Sequence, residues 1–381
     1  MSRNTRTLKY WFATVWTFAA RETKELLRDK IRLFFAAFGP VVMLSAIGWA
    51  VSFDVNGLNF AVLDRDQSAE SRRLAEQFRG SPYFHEQPPV YSLREAQNRM
   101  KQGDTPLIVD IPAGFGRALA QGRQPEIGLY IDGTEPFNAA TVSGYAQSLV
   151  AQYNIETLRA RGISLPDTPE LVPRLAYNQD FRSINAMTPN ILVIVLIMIP
   201  AIMSALSVVR ERETGSIANL YASPASVPQY LLGKQLPYVA MGVFNCAVLA
   251  LMVVLWFGVP LKGSLAGLMI GATLFVGAST ALGLLISAFT RSQTAAFFIA
   301  AIGTMVPTIT FSGLFYPLSS MTGGAYAMGV GFPASWFQKI SIGSFAKGLG
   351  AADFGFEYAV LALFCAVYLT LACVFLKKQE K

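Results

Sequence analysis

Histidine and cysteine are scarce in this chain: its 381 residues hold one histidine, His85, and three cysteines. A lone imidazole cannot form a histidine metal cluster, and it nearly excludes nucleophilic chemistry that relies on a histidine base. Cys246, Cys365 and Cys373 all fall in hydrophobic runs. The polar part of the chain therefore has no thiol for a disulfide framework or a Cys-based metal site. Nucleotide and hydrolase motifs are missing too. A Walker A loop needs G-x-x-x-x-G-K-[ST], whose amides cradle phosphates while the lysine reaches their terminal oxygens. Gly233, Lys234 and Gln235 come nearest, and lack both the hydroxyl and the first glycine. No G-x-S-x-G elbow and no H-E-x-x-H helix occurs. The chain is expected to be no enzyme, to hold no metal or cofactor, and to hydrolyse no ATP itself.

Charge is sparse as well, at 14% of residues against 53% hydrophobic and a mean hydropathy of +0.41. It is missing altogether from six runs, residues 33–53, 190–209, 237–257, 265–289, 294–317 and 358–376, each of 19 to 25 residues. At a rise of about 1.5 Å per residue each can cross a hydrocarbon core. One run, then roughly 135 polar residues, then five runs is the layout of a polytopic membrane protein with a single extramembrane insert. Residues 33–53 follow a long polar stretch with no small-x-small cleavage site, and are expected to stay attached as a signal anchor.

The net charge of +7 follows the same layout. Fifteen of the bases lie in the first 32 residues or beside the later runs, among them Arg210, Arg212, Lys234, Arg291 and Lys377. With both termini cytoplasmic all fifteen are inside, and the short outer connections keep only Lys262, Lys339 and Lys347. That asymmetry sets the orientation and leaves the insert outside. It also reads as attraction to membrane lipid and not as a nucleic-acid footprint.

Residues 1–32 form a distinct region. Leu8, Trp11, Phe12, Val15 and Phe18 recur at helical spacing, and charges dominate residues 21–29. The pattern predicts an amphipathic helix lying in the cytoplasmic interface, with a charged cytosolic extension as the plainer alternative. The insert, residues 54–187, predicts a small α/β domain in the order β-α-α-β-α-β-α. Its strands are 60–64, 106–111 and 127–131. Its helices are 68–78, capped by Ser68, then 93–101, 115–121 and 137–161. Asp64, Asp66 and Asp110 fall at strand ends, where solvated turn residues far outnumber catalytic pairs. His85 sits in a Pro-rich stretch read as loop. Residues 188–381 hold the other five spans, and an amphipathic stretch near 325–350 predicts a re-entrant or surface helix.

Proton-driven carriers usually place ionisable groups inside their spans. None is present in these runs, so energy has to enter from a partner. Arg210, Glu211, Arg212 and Glu213 directly follow the second span, and Thr214 can cap a short helix whose apolar side is Ile217, Leu220 and Tyr221, ended by Pro224. Such a helix suits docking in another protein's groove. On physical grounds alone, a charged cluster after a span is more often a stop-transfer anchor.

Here the chain resembles a known family. Arg210, Glu211, Glu213, Gly215, Ser216, Ser223 and Pro224 are similar to the R-E-x-E-x-G-[ST]…[ST]-P signature of type 2 exporter permeases of ATP-binding-cassette transporters. Lys24 to Asp29 resembles the family's pre-span helix. Ser312, Gly313 and Pro317 resemble its S-G-x-x-x-P motif, and Pro333, Phe345, Lys347 and Gly348 its P…F…[KR]-G stretch. The insert fits the subgroup with a large extracytoplasmic domain between the first two spans. Thr322 departs, because the family commonly has proline there.

The resemblance implies a half-transporter in a bacterial inner membrane: six transmembrane helices, a periplasmic α/β domain, and a second permease copy or paralogue as partner. ATP and magnesium would be held by a separate ATPase subunit. It also implies a coupling helix near 211–224 and a docking surface completed by Glu25, Arg28 and Asp29. An outer gate is expected around Pro307, Ser312, Gly313 and Pro317, with a largely apolar path for hydrophobic or amphipathic cargo. Gly271, Gly277, Ser279, Gly283 and Gly303 are expected, with Ser312 and Gly313, at the interface between the paired bundles. The periplasmic domain could receive a membrane-fusion adaptor. Two other readings stay open: a non-transporting anchor whose periplasmic domain recruits partners, and a secondary carrier, which the charge-free runs disfavour.

Overall fold

A computed structural model describes residues 3–50, 57–134, 136–160, 177, 183–217, 223–314 and 316–376. The chain divides into two compact units, one of residues 1–52 with 175–381 and one of residues 53–174.

The first unit is helical. It comprises α1 (Arg3–Arg28), α2 (Lys30–Ala50), α7 (Ser183–Glu213), α8 (Val227–Leu255), α9 (Leu265–Phe289), α10 (Gln293–Phe311), α11 (Gly323–Val330), α12 (Pro333–Ile342) and α13 (Gly355–Phe375). Six of its helices, overlapping the six hydrophobic runs, are long and apolar enough to cross a membrane. The fifth stops at Phe311, so Pro317 lies beyond it, heading the short 3-10 turn Leu318–Ser320.

α7 is the axis of this unit, and α2, α8, α9, α10 and α12 all pack on it. It is apolar on every side, from Ile191 through Ile197 to Val209, as a fully surrounded helix must be. α2, α10 and α13 lie at the periphery and leave broad apolar faces uncovered, including Phe34, Phe38, Phe297, Phe298 and Leu363. Water would not tolerate such faces; hydrocarbon or another apolar surface does.

Small residues let the central helices touch. A Cβ on Gly283 would clash with the Ala201 carbonyl oxygen, and Ser204 donates across the same contact to the Thr280 carbonyl at 2.9 Å. Gly271 meets Ile340 and Gly277 meets Cys365, while Ser279 bonds to its own helix, to the Phe275 carbonyl. The small residues expected between two bundles are thus largely used within this one; Gly303 is the member of that set with open space around it. The stretch near 325–350 is two helices rather than one. Pro333–Ile342 is buried along most of its length, with Phe337 stacked on Phe275 at 4.4 Å, so a surface-lying helix does not describe it.

The second unit holds β1 (Leu58–Asp64), α3 (Ala69–Arg79), β2 (Phe84–Glu86), α4 (Leu93–Lys101), β3 (Leu107–Ile111), α5 (Phe115–Ala120), β4 (Gly128–Ile131) and α6 (Pro136–Ala160). The sheet order is β2-β1-β3-β4, with β1 parallel to β2 and β3, and β4 antiparallel to β3. Both faces of β1 are covered. Phe60 and Val62 join Leu74, Phe78, Phe115 and Val142, while Ala61 and Leu63 join Val90 and Ala96 on the other side. β2 corrects the loop reading around His85: Phe84, His85 and Glu86 register with Leu58, Asn59 and Phe60. Three residues running into Pro88 and Pro89 are too short to show a period-2 pattern.

The strand-end carboxylates are structural. Asp64 accepts from the Asp66 and Gln67 amides at 2.9 and 2.8 Å and from the Ser71 hydroxyl at 2.7 Å. Asp110 holds Arg65 at 2.6 Å. Asp66 accepts the Gly114 and Gly116 amides at 2.7 and 2.8 Å, tying the loop after β1 to the start of α5. The Ser68 hydroxyl and then the Gly116 amide hold its carboxyl below the ordinary value. A carboxyl whose value falls on folding stabilises the fold above its unfolded value, about 3.9, and loses that contribution as pH drops. Hydrogen exchange corrected for intrinsic rate should therefore show the Gly114 and Gly116 amides losing protection as pH falls below about 4. Asp66→Ala should lack that protection already at neutral pH.

The packing gives a second expectation. Gly283→Ala overpacks the α7–α9 contact and should cost about 1–3 kcal/mol, read as a lower thermal midpoint of the detergent-purified protein. Gly303→Ala should leave the midpoint unchanged.

Candidate functional site

α1 carries its apolar stripe at Val15, Ala19 and Leu26, and Glu22 sits on that same stripe. A carboxylate there is buried, at 1% exposure, and must find partners. They come from α8, where Tyr230, Lys234 and Tyr238 stand four residues apart on one face. α1 crosses α8 at Gly233, where a Cβ would meet Phe18 and, at 2.9 Å, the Val15 carbonyl oxygen.

The Lys234 ammonium, 3% exposed, pairs with Glu22 and, at 2.8 Å, with Glu211 at the end of α7. Its third donor reaches the Ser207 carbonyl at 3.3 Å, so all three are used. Each carboxylate keeps its second oxygen for a tyrosine: Tyr238 donates to Glu22, and Tyr230 donates to Glu211 at 2.6 Å. Arg32 of α2 donates to the Tyr238 oxygen at 2.6 Å and lies 3.8 Å from Glu22. Glu22, Glu211 and the more exposed Glu25 face Lys234, Arg32 and Arg21, so the cluster is neutral, as deep burial demands. Carboxylate oxygens of Glu22, Glu25 and Glu211 come within 4.8 Å of one another, a spacing that could hold a metal ion. Here Lys234, with Arg21 at 3.4 Å from Glu211, already supplies the positive charge.

The four charged residues after the second span each tie the end of α7 to a different neighbour. Arg210 pairs with Asp29, at the junction of α1 and α2, at 2.6 Å. Glu211 joins the Lys234 cluster. Arg212 donates to the Ser287 and Thr290 carbonyls at 3.1 and 2.8 Å, at the end of α9. Glu213 accepts the Gln293 amide at 2.7 Å, at the start of α10. Asp29 also accepts the Arg32 amide at 3.1 Å and so caps α2. Burial pushes its carboxyl up, but the Arg32 amide and then Arg210 outweigh this and hold it below its ordinary value.

Beyond Glu213 the chain turns. Thr214, expected to open a new helix, instead closes α7 by donating to the Arg210 carbonyl at 2.9 Å, and its hydroxyl meets that of Ser216 at 3.0 Å. Gly215 takes φ +74°, the left-handed residue that commonly ends a helix. Ile217 is buried, with its amide on the Glu211 carbonyl at 3.0 Å. Leu220 and Tyr221 lie outside the described residues. Pro224 is exposed, two residues before the Ser226 cap of α8.

The residues expected to dock a partner and those expected to couple it meet. Glu25, Arg28 and Asp29 on one side and Arg210, Glu211 and Ser216 on the other line a single cleft of about 720 Å³. The gate residues lie elsewhere. Pro307 is inside α10, Ser312 caps it and is buried, and Gly313 takes φ +97° where a Cβ would be 2.7 Å from Gln338 Oε1. Gln338 in turn reaches Asn190 at 3.3 Å.

Sequence reasoning overlooked Glu22, Arg32, Tyr230, Lys234 and Tyr238. The signals were an acid on the apolar stripe of α1 and a lysine between two tyrosines at four-residue spacing. Lys234 lies just outside the charge-free run at 237–257, yet inside the helix of that span.

A model of the ABC-2 family transporter proteins matches residues 30–374. Among curated relatives, "Probable multidrug ABC transporter permease YbhS" of Escherichia coli (strain K12) is 26% identical over 329 residues, 86% of this chain and 87% of the relative. "Probable multidrug ABC transporter permease YbhR" of the same organism is 29% identical over 315 residues, 81% and 83% of the two chains. "Inner membrane transport permease YhhJ", also from that organism, is 25% identical over 374 residues, 96% and 97%. With a match of that extent lying over six apolar helices, the chain belongs to the ABC-2 transporter family, as a membrane permease subunit of an ATP-binding-cassette exporter.

Proposed function

We propose that the cleft between the α1–α2 junction and the end of α7 is where the ATP-binding subunit docks, and that residues 211–224 carry its movement into the bundle. Permeases of this family are transport subunits, with ATP hydrolysed on a separate chain, and they often pair as dimers. The observation that carries the reading is the convergence of Glu25, Arg28 and Asp29 with Arg210, Glu211 and Ser216 on one cleft. A partner seated there would touch both the pre-span helix and the loop after the second span.

The remaining assignments follow from that docking side. It faces the cytoplasm of a bacterial inner membrane, with both termini inside, and the unit of residues 53–174 is periplasmic, as the distribution of bases supports. α1, with Trp11, Trp16 and Arg28 along it, lies in the cytoplasmic interface. A second copy or a paralogue completes twelve helices, using peripheral apolar faces such as that of α10. When the ATPases close, the paired bundles tilt and a path opens along their interface. Ser312 and Gly313, held against Gln338, would form the outer end with Pro307 and Pro317. The relatives named for multidrug transport and the apolar helices support hydrophobic or amphipathic cargo. The periplasmic unit would receive part of that cargo or an adaptor.

Coupling is tested by co-reconstituting the chain with its ATP-binding subunit. Gly215→Pro cannot adopt φ +74°, because proline is fixed near −65°. It should abolish coupled transport while the basal hydrolysis of the ATPase persists. Glu213→Ala frees the Gln293 amide and should weaken coupling more mildly. Unchanged transport in both would remove 211–224 as the coupling element. Orientation is tested by Ser68→Cys, expected to react with an impermeant maleimide from the periplasm; labelling from the cytoplasmic side alone would invert the topology.

A further inference from the structure

We infer that Lys234 is a positioning residue for energy coupling: the buried cation that makes α1, the end of α7 and the start of α8 move as one body. The inference rests on the docking reading above and goes beyond it to the residue that receives the force.

Three helices meet at one nitrogen. Lys234 Nζ holds Glu22 of α1 and Glu211 of α7, and donates to the Ser207 carbonyl of α7, while its backbone belongs to α8. The two carboxylates are arranged alike, with one oxygen on Lys234 and the other on a tyrosine of α8, Tyr238 or Tyr230. Glu211 lies in the last turn of α7, and its carbonyl accepts the Ile217 amide at 3.0 Å. A push on residues 214–217 therefore acts on Glu211 first, reaches α8 through both Tyr230 and Lys234, and reaches the buried Glu22 through Lys234.

The plain alternative is that the cluster merely fills the contact. Stability argues against it, since well-packed apolar side chains of similar volume often match or exceed a buried ion network. What apolar packing would not supply is a directional tie between three helices. Docking itself should survive loss of the tie. α1 still crosses α8 at Gly233, Glu211 keeps Tyr230 and Arg21, and Arg210 keeps Asp29.

Lys234→Met alone leaves two buried carboxylates short of a cation and can fail to fold. Lys234→Met with Glu22→Gln restores the charge balance at similar volume, and Lys234→Arg keeps the charge. Each is made in the full chain, purified with its ATP-binding subunit and reconstituted in liposomes of Escherichia coli polar lipid. Two quantities are read: permease-dependent stimulation of ATP hydrolysis, and the distance between spin labels at Trp16→Cys and Leu236→Cys with the native cysteines replaced. Both label sites are exposed.

In the otherwise native chain, vanadate-trapped nucleotide should leave the label distance unchanged, because α1 and α8 travel together. The balanced double variant should co-purify normally, lose about tenfold in stimulation, within the usual range of a coupling free energy, and show a shifted or broadened distance on trapping. Lys234→Arg should recover most of the stimulation. A double variant matching the native chain in both readouts overturns the role of Lys234 while docking stands. So does a Lys234→Arg variant no better than the double variant. A native chain that neither binds the ATP-binding subunit nor alters its hydrolysis overturns the docking reading itself.

Discussion

One buried ammonium shared by two carboxylates holds an end of this bundle together. Helices α1, α7 and α8 meet there, and the contact between Lys234, Glu22 and Glu211, completed by Tyr230, Tyr238 and Arg21, fixes which faces they present. Such a cluster tolerates burial only because its charges cancel and its remaining oxygens are occupied. Tyr230 and Tyr238 supply that completion, and Arg32 brings in α2. The amphipathic pre-span helix is thereby part of the helical unit and not a loose extension beside it. Its apolar stripe packs on α8, and its one buried acid locks the register.

The same end of α7 distributes its charges outward. Arg210, Glu211, Arg212 and Glu213 reach four different places: the α1–α2 junction, the α8 cluster, the end of α9 and the start of α10. The stop-transfer reading captures only their dislike of hydrocarbon. Four charges with four separate partners make the central helix a hub, so that displacing its terminal turn strains every neighbour at once. The turn ends at Gly215, whose left-handed backbone breaks the helix. A stiff hub followed by a sharp break is a suitable mechanical input.

Much of the fold was legible in the sequence because hydrophobic runs of 19 to 25 residues have little choice in a membrane. The six runs correspond to six long helices. Local signals were also readable in the insert, where Ser68 caps α3 by accepting the amide three residues on. Three-residue β2 was not, because its pairing with β1 is a tertiary fact. Thr214 misled for a related reason: a threonine after a charged turn can begin a helix or end one, and the Arg210 carbonyl decides. The glycines pointed to close approach, which is correct, but Gly271 and Gly283 find their partners in Ile340 and Ala201 of the same chain. Spacing tells how near helices come and not which helices they are.

The charge-free runs carried an inference about energy that the buried cluster refines. Residues 237–257 contain no Asp, Glu, Lys, Arg or His, yet the helix they belong to begins at Val227 and buries Lys234 a turn before the run. Among the described residues of this bundle, the buried charges are Glu22, Glu211 and Lys234, and they pair with one another at one end of α7. Glu22 and Glu211 each hold Lys234 and a tyrosine, so both oxygens of each carboxylate are engaged. On the proposed coupling role, what the cluster supplies is a directional tie between helices. The cost of keeping such a cluster out of water is justified if its directionality is used, and on the proposed docking it lies between the cleft and the third span, in line to receive a partner's movement.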